Sequence, residues 1–108
     1  MNYEIIVTAF FERELKALAK KHRSIKKDLQ SLLVTLENNP TTGVEIGNHC
    51  YKIRLAISSK SKGKSGGARV ITHVQVIAHI AYLISIYDKS ELENISDNSI
   101  KERLKKLK

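Results

Sequence analysis

The hydrophobic pattern changes period along the chain. Residues Tyr3-Glu4-Ile5-Ile6-Val7-Thr8 form a β-branched run of strand length. From about Ala9 the period becomes helical, with Phe11, Leu15, Leu18, Ala19 and His22 on one stripe. Ser24 is a candidate N-cap for a second helix with the stripe Ile25, Leu29, Leu32, Leu33 and Leu36. Asn38-Asn39-Pro40 and Gly43 break it, and the tight connection predicts an antiparallel helix pair. Residues 51–57 then alternate, with Tyr51, Ile53, Leu55 and Ile57 on one face and Lys52 and Arg54 on the other. Two more strands are predicted, Ala68 to Val76 and Ile80 to Tyr87, although the turn near Ile77-Ala78-His79 lacks the usual hairpin residues. By parity, Tyr82 and Tyr87 should lie on opposite sheet faces. Ser96 can cap a short last helix that shares Ile100, Leu104 and Leu107 on one face, with Arg103 to Lys108 suiting its C-terminal dipole.

The order β-α-α-β-β-β-α predicts an α+β fold with a small four-stranded, mainly antiparallel sheet. The two N-terminal helices should pack on one sheet face, leaving Lys52 and Arg54 on the open face. A short C-terminal helix completes the fold, with all helices expected on one side. A length of 108 residues, 42% of them hydrophobic, suits a single domain spanning 1–108 and excludes a disordered chain. The longest mostly apolar stretch, Val74 to Tyr87, carries Gln75 and His79 and falls short of the ~20 residues that span a bilayer. No signal-like segment precedes it, and the single cysteine, Cys50, forms no intramolecular disulfide. A cytoplasmic protein with no membrane partner is expected, with Cys50 a buried thiol.

Charge adds the functional hint. Of the net +8, residues 1–45 and 88–108 contribute +1 each and read as ordinary solvated helix faces. Between them, Lys52, Arg54, Lys60, Lys62, Lys64 and Arg69 are uncompensated, because residues 46–87 contain no Asp or Glu. Alternating cations on a strand beside the Gly-rich string Lys62-Gly63-Lys64-Ser65-Gly66-Gly67 can surround a phosphate: glycine admits backbone N–H groups, Arg donates a fork and Lys a mobile charge. The Gly-Lys-Ser is not a nucleotide P-loop, since position 58 is Ser and the string leads into a strand. Crowded cations also lower a lysine's pKa, so one amine can act as base while a neighbour stays an acid. His22, His49, His73 and His79 are dispersed, no carboxylate or thiol cluster suits a metal, and no cofactor is expected.

Three segments carry a family resemblance: His49-Cys50-Tyr51-Lys52-Ile53-Arg54-Leu55, then Lys62 to Ile71, then Tyr82 to Glu91. They resemble toxins of the RelE/ParE superfamily, and most of all the RelE- and HigB-type branch of type II toxin–antitoxin modules. The resemblance implies a RelE-like fold and a ribonuclease that cuts translated mRNA, commonly in the ribosomal A site. It also implies a cognate antitoxin that holds the toxin inactive, with operator DNA met only through the antitoxin complex. Lys52 and Arg54 match the paired basic positions on the strand, Arg69 the arginine opening the next strand and Lys89 the basic position after the last. Lys64 belongs to the glycine loop, and Lys60 and Lys62 are expected to contact RNA. Residues 90–108 contain no aromatic, where the best-known members place a tyrosine, so Tyr87 is the candidate for base stacking.

On this reading the ribose 2′-OH attacks the adjacent phosphate without a metal ion. Lys52 or Lys64 acts as base, Arg54 and Arg69 stabilise the phosphate charge, and Lys89 protonates the leaving oxygen. The alternative is a ParE-like gyrase-inhibiting toxin without nuclease activity, which would not need this cation set. The antitoxin is expected on the basic strand and loop, with displacement of the last helix as the other route.

Overall fold

The computed structural model describes residues 2–60 and 66–107. Strand β1 (Glu4–Val7) leads into helices α1 (Ala9–Lys21) and α2 (Ile25–Asn38). Strands β2 (Val44–Gly47), β3 (Cys50–Leu55), β4 (Ala68–Gln75) and β5 (Ile80–Asp88) follow, with a 3₁₀ turn at Ser58–Lys60, and α3 (Asp97–Lys105) comes last. The sheet order is β1-β5-β4-β3-β2, antiparallel except for the parallel pair β1 and β5.

The sheet thus has five strands rather than four. The extra strand, β2, is four residues long and lies on an edge, too short for its alternation to stand out. It reaches β3 through Asn48 and His49, whose φ values of 54° and 59° are those of a tight primed turn. Asn tolerates that conformation; His there is unusual, and no hairpin dipeptide announces the strand.

Helices α1 and α2 bury the predicted stripes. Phe11, Leu18, Ile25, Leu29, Leu32 and Leu36 pack with Ile53, Leu55, Val70, Leu83 and Ile86 from the sheet. Thr8 caps α1: its Oγ1 accepts from Phe11 N at 3.3 Å and donates to the Leu83 carbonyl at 2.7 Å. Ser24 stands at the start of α2 but makes no side-chain cap bond. Its hydroxyl serves Asp28 and Ser59 instead.

Helix α3 corrects the expectation of a one-sided helical layer. It packs on the other face, where Ile100, Leu104 and Leu107 meet Cys50, Ile71, Ile84 and Tyr87. The parity assignment of the tyrosines also fails: Tyr82 and Tyr87 both join this second cluster. Pairing passes from Ile71↔Ser85 to Thr72↔Leu83, so β5 carries an extra residue at Ile84 and the alternation shifts by one.

Beyond Val7, β1 no longer covers β5. Side chains from α1 and α3 take over. Glu14 Oε1 accepts from Ser85 Oγ (3.0 Å) and Ile86 N (3.3 Å), while Arg103 donates to the Ile84 carbonyl at 2.9 Å. The two are joined by paired bonds of 2.8 and 2.9 Å, and Arg103 lies 5.1 Å from the Phe10 ring centre. An otherwise open sheet edge is closed this way.

Candidate active site

The cations spread over β3, β4 and the segment after β5 converge. Lys52, Arg54, Arg69 and Lys89 all line one cleft of about 790 Å³. Antiparallel pairing does this: Arg54 lies directly opposite Arg69, which lies opposite Tyr87. Two guanidinium residues facing each other across a ladder destabilise a sheet. Such a local conflict is what a site built for an anion contains.

The four cations are held differently. Arg54 is exposed. Arg69 is only 4% exposed, and its Nη1 donates to the Ala68 carbonyl at 3.1 Å. Lys52 Nζ donates to Asn94 Oδ1 at 2.7 Å. Lys89 is fixed through its backbone, which donates to the Gly67 carbonyl at 3.1 Å. Gly67 is required by packing, because a Cβ there would sit 2.3 Å from the Leu55 carbonyl oxygen.

Lys62 and Lys64 lie outside the described residues. The backbone of Lys60 ends the 3₁₀ turn. Tyr87 does not offer a face for base stacking: it is 6% exposed and sits beneath α3 in the second cluster. Burial pushes its phenol pKa up, against the pull of the Ile95 backbone and Arg69.

Several residues of the cleft escaped the sequence reading. Asp28 and Glu93 bring carboxylates to a wall of a site whose own segment contains none. Asp28 anchors the start of the basic loop: Oδ2 accepts from Ser58 N at 2.9 Å and Oδ1 from Ser58 Oγ at 2.6 Å. Ser24 Oγ donates to Asp28 at 2.8 Å and accepts from Ser59 N at 2.9 Å. Partial burial would raise the Asp28 pKa, but the bonds from Ser58 and Ser24, with Lys27 nearby, hold it below the ordinary value. At the other side of the loop, buried Asp88 accepts from Ser90 at 2.9 and 2.7 Å and contacts His22 Nε2 at 2.9 Å. The one available signal was helical: Ser24 and Asp28 are four apart and so share a face.

The remaining titratable cluster is inert by comparison. Cys50 is fully buried, 3.7 Å from His73 Nδ1, and burial pushes its thiol up to about 11. Burial lowers the His73 pKa as well, despite a bond to the Asn48 backbone. Among the described residues no group of three His, Cys, Asp or Glu side chains could hold a metal ion. No described helix is long and apolar enough to cross a membrane.

Residues 7–108 match the family model of the RelE toxin of the RelE/RelB toxin–antitoxin system. The chain belongs to the RelE toxin family. Among solved structures, this RelE-family chain is similar to a mutant E. coli RelE in the free state, with a TM-score of 0.63 and 22% identity over 100% of both chains. It is also similar to a chain of the intact E. coli RelBE toxin–antitoxin complex, with a TM-score of 0.61 and 20% identity, covering 80% of this chain and 95% of that one. For the RelBE2 toxin–antitoxin complex of Mycobacterium tuberculosis the values are 0.59 and 12%, over 82% and 92%. At these identities the structural likeness establishes the RelE-like fold.

Proposed function

We propose that this RelE-family toxin is a metal-independent endoribonuclease that cuts mRNA on the ribosome and is neutralised by a cognate antitoxin. The observation that carries the reading is the convergence of Lys52, Arg54, Arg69 and Lys89 on one cleft. Transesterification needs three things there: removal of the 2′-OH proton, stabilisation of a dianionic phosphorane, and a proton for the departing 5′-oxygen. Lys52 or Lys64 takes the first proton and Lys89 gives the last. Arg54 and Arg69 hold the phosphate oxygens by charge-assisted bonds. The products are a 2′,3′-cyclic phosphate and a 5′-OH, so the substrate is RNA, since DNA lacks the attacking hydroxyl. An antitoxin neutralises this chemistry by covering the cations, drawn there by the excess of positive charge on this surface.

The test is to add the purified chain to a translating extract and map mRNA 5′ ends and DNA breaks together. The expected result is mRNA cleavage that leaves 5′-OH ends and is indifferent to added manganese or zinc. DNA breaks with intact mRNA would replace the reading with gyrase poisoning.

A further inference from the structure

The last position of the apolar stripe on α1 is a histidine, His22, and no step of the cleavage chemistry uses it. It ends the helix: its backbone N–H donates to the Leu18 carbonyl at 2.8 Å, and its own carbonyl accepts from Ile25 N at 3.1 Å. The main chain on both sides is thus fixed before the side chain makes any contact. The ring reaches across to the end of β5, where Nε2 stands 2.9 Å from Asp88 Oδ2. The pair is largely shut away from water, with side-chain exposures of 13% and 2%.

Asp88 in turn shapes the backbone that carries Lys89. Its Oδ1 accepts from Ser90 N and Ser90 Oγ, the bonding of an Asx turn. Its carbonyl accepts from Glu91 N and Leu92 N, each at 3.0 Å. One carboxylate oxygen therefore sets the path of residues 88–92, and the other meets the end of α1. Asp88 turns toward α1, while Lys89, the next residue, lines the cleft. A lysine ammonium sits on a flexible four-carbon stem, so it is placed only as well as the backbone it leaves.

Stability does not require this arrangement. A buried carboxylate is costly to keep, and packed apolar residues of similar volume often serve a core as well or better. Nor is a tether lacking, because Lys21 and Glu91 join the same two segments at the surface. We infer that His22 is a positioning residue: through Asp88 it fixes the turn that aims Lys89 at the leaving oxygen of the scissile phosphate. The role of Lys89 rests on the ribonuclease reading, whereas the mechanical link from α1 to the turn does not.

The experiment follows single-turnover cleavage of mRNA on programmed ribosomes by the full chain and its variants. At saturating toxin His22→Leu should slow cleavage about tenfold or more, while the half-saturating concentration moves by less than roughly twofold. His22→Gln, whose amide nitrogen can stand in for the imidazole Nε2, should return to within roughly threefold of wild type, and Lys21→Ala at the exposed tether to within roughly twofold. In a Lys89→Ala background His22→Leu should cost nothing further, because it acts through the group already removed. An RNA with sulfur in place of the 5′-bridging oxygen needs no protonation of its leaving group, so on it wild type and His22→Leu should cut at equal rates. Amide hydrogen exchange reads the link without cleavage: in His22→Leu the Lys89 N–H should exchange about tenfold faster, with Val70 on the central strand unchanged. Thermal unfolding verifies the fold; if His22→Leu does not fold, His22→Asn, whose shorter amide falls short of Asp88, takes its place. Losses that add in the double variant, an undiminished loss on the sulfur substrate, no recovery in His22→Gln, or unaltered exchange at Lys89 would each overturn the proposal. Failure of the ribonuclease reading shows differently: wild type leaves mRNA intact, and the exchange result still decides whether His22 holds the turn.

Discussion

The two faces of the sheet do different work. One is covered by α1 and α2 and holds a continuous apolar core from Phe11 to Ile86. The other is covered by the single short helix α3, with a smaller cluster around Ile71 and Tyr87, and carries the cations on β3 and β4 beside it. The first face holds the molecule together and tolerates no charge. The second carries a like-charge pair, Arg54 opposite Arg69, across one ladder of the sheet. The two sides meet at the cleft, where Asp28 and Leu32 of α2 stand beside Lys52, Arg54, Arg69 and Lys89.

The strongest way to break that division is from the stable side. Phe11→Ala empties a fully buried position and should cost about 3–5 kcal/mol, read as a fall in the denaturant midpoint. Arg54→Ala strikes the other face. Because Arg54 is exposed, stability should move by no more than about 0.5 kcal/mol. RNA cleavage should nevertheless fall by roughly two powers of ten, the loss of about 3 kcal/mol of transition-state stabilisation. Unchanged cleavage by a folded Arg54→Ala protein would remove it from the site.

Smaller effects sharpen the boundary between the faces. Arg103→Ala should cost about 1–3 kcal/mol, because it leaves the part-buried Glu14 carboxylate and the Ile84 carbonyl short of a donor. Hydrogen exchange should rise first at the end of β5 and in α3, not in α2.

Asp28→Asn should leave global unfolding nearly unchanged while cleavage drops several-fold, since the start of the basic loop loses its anchor. The same anchor has a pH signature. The folded pKa of Asp28 lies below its ordinary value of 3.8, so the contribution is fully present above that value and is lost as pH falls through the lower folded value. The Ser58 amide resonance should therefore titrate with a midpoint under 3.8, and a midpoint above it would contradict the anchor.

How far the sequence reached follows the same physical division. The stripes of α1 and α2 were legible because the face of a helix on a dry core repeats with the helical period, His22 at the end of α1 being the polar exception. The cations from Lys52 to Arg69 were legible because they share a segment without acids. Strand β2 was not, being short and entered by a turn that uses His49 where Gly would be expected. The two tyrosines share a face because the bulge at Ile84 leaves no mark on the alternation, and Tyr87 is closed to stacking because α3 packs over it. Asp28, Glu93 and Asn94 reach the cleft only through tertiary structure.

The parallel pairing of β1 with β5 has a consequence for how the toxin is made. Glu4 pairs with Ile80 and Val7 with Leu83, so the first strand finds its neighbour only after some three-quarters of the chain exists. Local helices form quickly, whereas contacts of such long sequence separation form late. During synthesis the α1–α2 hairpin can emerge and associate early, but the sheet cannot close until β5 arrives. Arg69 and Lys89 are assembled by that same last step. The cation cluster therefore does not exist in a nascent chain until β5 and the residue that follows it have been made.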